Sequence, residues 1–168
     1  MTRRLAAALA ITASLLLGGC GADYGLDQNG QTVKAEQIDG HWLVLNYWAE
    51  WCGPCRTEIP ELNAAAKQWQ AQGVKVLGVN FDGLQGEELK KASEALGIGF
   101  TVLAEDPAER YELPRSEALP VTYIIDDKGK VREQLMGEQT LEGLPRDGVQ
   151  PSSGQNRSGL PSAGQKRT

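Results

Sequence analysis

The sequence predicts an α/β domain: a mixed central sheet flanked by helices and closed by a hairpin. Three observations predict it. Residues 43–48, Leu-Val-Leu-Asn-Tyr-Trp, are nearly continuous in apolar and aromatic side chains, as strands covered on both faces are. Ile59, Leu62, Ala66 and Trp69 then recur at helical spacing, with Glu61, Lys67 and Gln70 between them. Near the end, residues 121–126 and 130–136 read as two strands joined by Asp127-Lys128-Gly129.

The remaining elements follow from punctuation. Arg3 and Arg4 precede a thirteen-residue apolar stretch at 5–17, too short for a spanning helix but suited to the core of a secretory signal. Leu17-Gly18-Gly19-Cys20 resembles a bacterial lipobox, which implies cleavage before Cys20 and lipid on its sulfur. Diacylglycerol plus an N-acyl chain there would anchor the protein firmly, because stable attachment takes two chains. Residues 22–27 read as a tether, and Asn29-Gly30 as the turn of a small hairpin. Residues 74–81 form a second buried strand, and 86–96 a helix with Leu89, Ala92 and Leu96 inward. Residues 100–103 make a short strand belonging to a local insertion, and Asp106-Pro107 opens a helical turn.

Composition narrows the partners. From Cys20 onward 15 Lys and Arg face 22 Asp and Glu, a charge of −7. No basic patch is interleaved with aromatics, so nucleic acid is not an expected partner. The 149 residues that follow the signal suit one domain with a sizeable core.

The chemistry is carried by Trp51-Cys52-Gly53-Pro54-Cys55, which sets two thiols one helical turn apart. That spacing lets them close a disulfide with each other and exchange electrons with other disulfides. Cys20 is the only further cysteine and His41 the only histidine, so no second pair completes a zinc site. Arg56 follows Cys55 where haem attachment needs histidine. A purely structural disulfide remains the alternative. Lying between a strand and a helix, Cys52 is expected at a helix N-terminus, where free amides and the macrodipole favour a thiolate. Cys55, one turn in, is expected to be shielded and placed to attack a mixed disulfide. Pro60 is expected to bend this helix, since it removes an amide donor.

Asn46-Tyr47-Trp48-Ala49-Glu50-Trp51-Cys52-Gly53-Pro54-Cys55, followed by Pro60, resembles the active site of thioredoxins. The chain is similar, more narrowly, to the TlpA/ResA-like branch of membrane-tethered extracytoplasmic thiol-disulfide oxidoreductases. The likeness runs over residues 26–142 and includes Asn29-Gly30, Glu58 three residues past Cys55, and Leu119-Pro120 before the strand at 121–126. It implies a thioredoxin-like fold with an N-terminal hairpin extension and an active-site motif of Trp51, Gly53 and Pro54 around a Cys52–Cys55 redox disulfide. It also implies that Pro120 is cis and faces the cysteines, exposing backbone of Leu119 to an incoming substrate strand. No cofactor or metal is implied.

Cytoplasmic thioredoxins carry a buried aspartate where this chain has Asn46, and asparagine cannot ionise. Gly78, on the next strand, offers no lysine. Glu58 is the expected replacement carboxylate; the alternative is a solvated side chain in the first turns of the helix. Glu50 is expected at the surface, Trp42 and Trp69 in packing, His41 without a chemical role, and Trp48 with Trp51 at the apolar rim of the site.

The end departs from the family, whose domains close with an amphipathic helix. Residues 141–144 start one, but from Pro145 only Val149, Leu160 and Ala163 are apolar. The closing helix therefore reads as missing or degenerate, either absent in fact or lost to a shifted frame. The expected organisation is a lipoprotein signal peptide at 1–19, a lipidated tether at 20–27, a thioredoxin-like domain at 28–144 and a disordered tail at 145–168.

Together these readings give a lipid-anchored thiol-disulfide oxidoreductase of the bacterial cell envelope, facing the periplasm and reducing protein disulfides. Gly21, in place of the aspartate associated with inner-membrane retention, points to the outer membrane. Recharging in an oxidising compartment implies a transmembrane thiol reductant of the DsbD type. Oxidase or isomerase action, a metal-binding chaperone-like role and an inactive lipoprotein are the alternatives.

Overall fold

The computed structural model describes residues 22–114 and 116–144. The signal segment, Cys20 with the start of the tether, and the tail from Pro145 lie outside the described residues.

Five strands form one sheet in the order β3-β2-β1-β4-β5. β1 (Leu43–Trp48) is central, pairing parallel with β2 (Lys75–Asn80) and antiparallel with β4 (Val121–Ile125). β3 (Thr101–Leu103) adds in parallel to β2, and β5 (Val131–Met136) closes the hairpin on β4. The run at 100–103 is thus the edge strand of the main sheet, not a local feature. Every residue of β1 is buried, which is why its sequence shows no alternation of polarity.

Successive side chains of β1 still point to opposite faces. Leu43, Leu45 and Tyr47 join Leu77, Val79, Val121, Tyr123 and Ile125 on one face. That face is covered by Tyr24, Val33, the short helix α1 (Ala35–Ile38), and Tyr111 with Leu113 from the connection after β3. On the other face Val44 meets Ile59, Leu62 and Trp69 of helix α2 (Gly53–Trp69). Each such fully buried side chain contributes about 1.5–3 kcal/mol. Helix α3 (Gly86–Ala95) packs Leu89 and Ala92 against Trp48 and Val102. α2 continues through Pro60 to Trp69.

The N-terminal turn forms as expected. Gly30 takes a positive φ of 74°, and the Asp27 carboxylate accepts from the N–H groups of Asn29 and Gln31, both at 2.8 Å. α1 is too short to show a helical repeat in sequence. It is fixed by Asp23, whose Oδ1 accepts from Ala35 N–H at 2.9 Å.

After β5 the chain makes a turn over residues 140–144, in which the Gly143 and Leu144 N–H groups donate to the Thr140 carbonyl. Leu144 is 1% exposed and joins the cluster around Trp69. No helix follows β5 among the described residues, and none of their helices is long and apolar enough to cross a membrane.

Candidate active site

β1 delivers the chain to the dithiol. Ala49 is buried, residues 50–51 make an exposed corner, and Cys52 becomes the N-cap of α2. Arg56 holds the corner by donating from Nε at 3.0 Å and Nη2 at 2.5 Å to the Glu50 carbonyl. Glu50 itself is exposed, as expected. Pro54 falls in the first helical turn, where its missing N–H costs nothing. Cys52 and Cys55 are joined by a disulfide, with Cα atoms 5.3 Å apart. Their environments differ: Cys52 keeps 4% exposure, whereas Cys55 has none.

Trp51 is 65% exposed, stands edge-on to Phe81 with centroids 6.3 Å apart, and donates from Nε1 to the Asp82 carboxylate at 3.0 Å. Trp48 does not join it at the rim. It shares the inward face of β1 with Asn46 and is wholly buried under α3. Its indole also explains Gly78: a Cβ there would lie 3.0 Å from Phe100, 3.1 Å from Trp48 Nε1 and 3.2 Å from Val102. Glycine at this position makes room for an aromatic cluster, and a lysine has no space.

Across from the dithiol, the Leu119–Pro120 bond is cis. Leu119 packs against the cluster holding Cys52 and Cys55, and its backbone carries no hydrogen bond to another described residue.

Glu58 is not a solvated carboxylate. It lies on the buried side of α2, one turn past Cys55, with no exposure. Its Oε1 accepts from Asn46 Nδ2 at 2.7 Å and its Oε2 from Gln139 N–H at 3.0 Å. Asn46 Nδ2 also donates to Thr122 Oγ1 at 3.0 Å, whereas its Oδ1 is buried without a partner. Burial pushes the Glu58 carboxyl up to about 7, against the lowering by Asn46 and the Gln139 amide; the Glu138 charge adds to the rise. A carboxyl poised there can take and return a proton near neutral pH.

Sequence reasoning missed Phe81, Asp82, Thr122 and Gln139 around the site. Phe81-Asp82, immediately after β2, was the one local signal. Thr122 and Gln139 become neighbours only through strand register and the turn after β5.

The family model described as AhpC/TSA matches residues 14–134. Among curated relatives, the thiol-disulfide oxidoreductase ResA of Geobacillus thermodenitrificans (strain NG80-2) is 30% identical over 132 residues, covering 78% of this chain and 75% of that protein. A solved thiol:disulfide interchange protein of the thioredoxin family from Chlorobium tepidum TLS superposes with a TM-score of 0.61 at 23% identity, covering 73% of this chain and 86% of that one. StoA from Bacillus subtilis gives 0.55 at 21% identity, over 70% and 90% of the two chains. At these identities the two structures establish the thioredoxin-like fold alone.

Proposed function

This chain belongs to the AhpC/TSA family and is a thiol-disulfide oxidoreductase of the ResA-like, thioredoxin-fold branch, and from that premise we propose that it reduces protein disulfides outside the cytoplasm while anchored through Cys20. The observation that carries the division of labour is the contrast between its two sulfurs. Cys52 caps α2 and keeps an exposed edge; Cys55 is sealed inside the helix.

In the reduced protein, Cys52 at the helix N-terminus is the sulfur favoured as thiolate. It attacks one sulfur of a substrate disulfide and forms a mixed disulfide, releasing the other substrate sulfur as a thiolate that takes up a proton. Cys55 gives its proton to Glu58 and attacks Cys52 Sγ, releasing the second substrate thiolate, which is protonated in turn. Two electrons pass from the dithiol to the substrate, and the protein is left with the Cys52–Cys55 disulfide. Trp51, Gly53 and Pro54 shape the approach. Leu119, beside cis Pro120, offers free backbone to pair with the substrate segment.

Residues 1–19 act as signal peptide and 28–144 as the catalytic domain; of the tether expected at 20–27, residues 23–27 pack onto that domain, with Tyr24 in its core and Asp23 holding α1. The Leu17-Gly18-Gly19-Cys20 run supports lipidation, and Gly21 favours the outer membrane. A transmembrane thiol donor of the DsbD type restores the dithiol. The Gly53-Pro54 dipeptide resembles that of reducing members and supports this direction.

Trapping tests the assignment. A Cys55→Ser variant mixed with a protein disulfide accumulates a mixed disulfide through Cys52, identified by mass spectrometry, whereas Cys52→Ser neither traps nor turns over. Trapping by Cys52→Ser instead would reverse the roles. Membrane fractionation of Cys20→Ala tests the anchor separately, with the protein expected to move to the soluble fraction.

A further inference from the structure

On the sheet face away from α2, a cavity of about 560 Å³ opens between the sheet and residues 106–114 and 116 of the connection after β3. That is the size of a pocket that engulfs a side chain or small ligand. Tyr47 and Tyr123 form its floor, meeting edge-on with centroids 5.8 Å apart. Neither hydroxyl proton is free for a ligand. Tyr47 donates to Asp106 Oδ1 at 2.6 Å, and Tyr123 to the Pro114 carbonyl at 2.5 Å. The accessible part of this surface is on Tyr47, 8% exposed, with fully buried Tyr123 behind it, and half-buried Leu113 extends the apolar wall.

The unused polar capacity lies around that floor. Asp106 Oδ2 and the Glu109 carboxylate have no partner among the described residues. Asn80, also on the wall, is only 5% exposed. Its Oδ1 accepts from the N–H groups of Asp82 and Leu84, which fixes the amide and leaves buried Nδ2 with no acceptor. A buried donor without a partner is costly, so a ligand carbonyl there would relieve it.

Two lining residues link the cavity to the residues around the dithiol. Phe81, which lines it, meets Trp51 edge-on, and Trp51 directly precedes Cys52. Val121, which lines it, directly follows cis Pro120. A polypeptide paired with Leu119 and bonded to Cys52 would pass its opening.

We propose that this cavity is a subsite for a lysine or arginine side chain of the polypeptide whose disulfide is reduced. This rests on the reductase reading above and names the substrate class of that same site. The aliphatic stem lies along Leu113 and the Tyr47 ring and the cationic head meets Asp106 and Glu109. Asn80 Nδ2 takes a carbonyl oxygen of the same segment. The excess of acidic residues in the chain draws cationic segments towards it.

The test uses the full reduced chain and three cysteine peptides, each in a mixed disulfide with the same small thiol. They differ only in having lysine, norleucine or glutamate two residues from the cysteine. The lysine peptide is expected to react about tenfold faster than the norleucine peptide, as a charge-assisted contact at a partly exposed site provides, with glutamate slowest. In Glu109→Lys, and in Ala108→Phe, which fills the cavity, the lysine-to-norleucine ratio is expected to fall to about one. Each ratio is internal to one variant, so a smaller amount of active protein does not mimic the result. Equal rates for all three peptides, or a ratio that survives both cavity variants, would overturn the subsite. Failure to reduce any peptide would instead overturn the reductase reading.

Discussion

Asn46 Nδ2 lies 2.7 Å from Glu58 Oε1, an amide donating to a carboxylate with both side chains wholly buried. The pair joins the central strand to the active-site helix. The Gln139 amide draws the turn after β5 into the same contact. The buried carboxylate here stands on the helix, at Glu58, and the strand residue Asn46 is its hydrogen-bond donor.

The first consequence is a pH-dependent stability. Folding raises the Glu58 pKa from its ordinary 4.5 to about 7, so between these values the native state binds more protons than the unfolded chain. The contribution is fully present below 4.5 and is lost as pH rises through 7, by about 3 kcal/mol in all. Urea unfolding of the oxidised protein at pH 4, 6 and 8 should show this decline, and Glu58→Gln should remove it. A Glu58→Gln variant with the same pH profile as the parent would contradict the assignment.

Asn46→Leu removes the donor shared by Glu58 and Thr122 and leaves both buried acceptors short of a partner. A loss of about 2–4 kcal/mol is expected, with a further rise in the Glu58 pKa because one lowering contact disappears. Denaturant midpoints read the first effect. Carboxyl infrared titration of Glu58 reads the second.

Gly78→Ala tests the packing beneath the site. The added methyl meets Phe100, Trp48 and Val102 at 3.0–3.2 Å, and these are ring and branched side chains in a closed core. Overpacking of this kind costs about 1–3 kcal/mol. A shift in indole fluorescence should accompany the loss, since Trp48 must move; an unchanged midpoint would show that the cluster has room to spare.

Most of the scaffold was legible because its signals are local. The 43–48 strand is found at the expected residues, and α2 and α3 begin after the punctuation that announced them. The cis bond at Leu119–Pro120 was available only through resemblance. Features set by contacts distant in sequence were not legible. Trp48 read as a rim residue because it is close in sequence to Cys52, yet strand alternation turns it inward. Gly78 read as a missing lysine, whereas its neighbours Phe100 and Val102 show a steric reason. Glu58 was singled out by spacing, but its burial and its bond to Asn46 depend on how α2 crosses β1. The cavity beside Tyr47 exists because residues 106–114 fold across the sheet, which no local pattern announces.

The reduction potential of the Cys52–Cys55 couple tests the account most directly. It is measured by equilibrating the full chain in thiol-disulfide buffers and counting free thiols by mass spectrometry after alkylation. A reductant should lie near thioredoxin, at about −270 mV; a value near −120 mV, that of a strong oxidant, would contradict the proposed direction of electron flow.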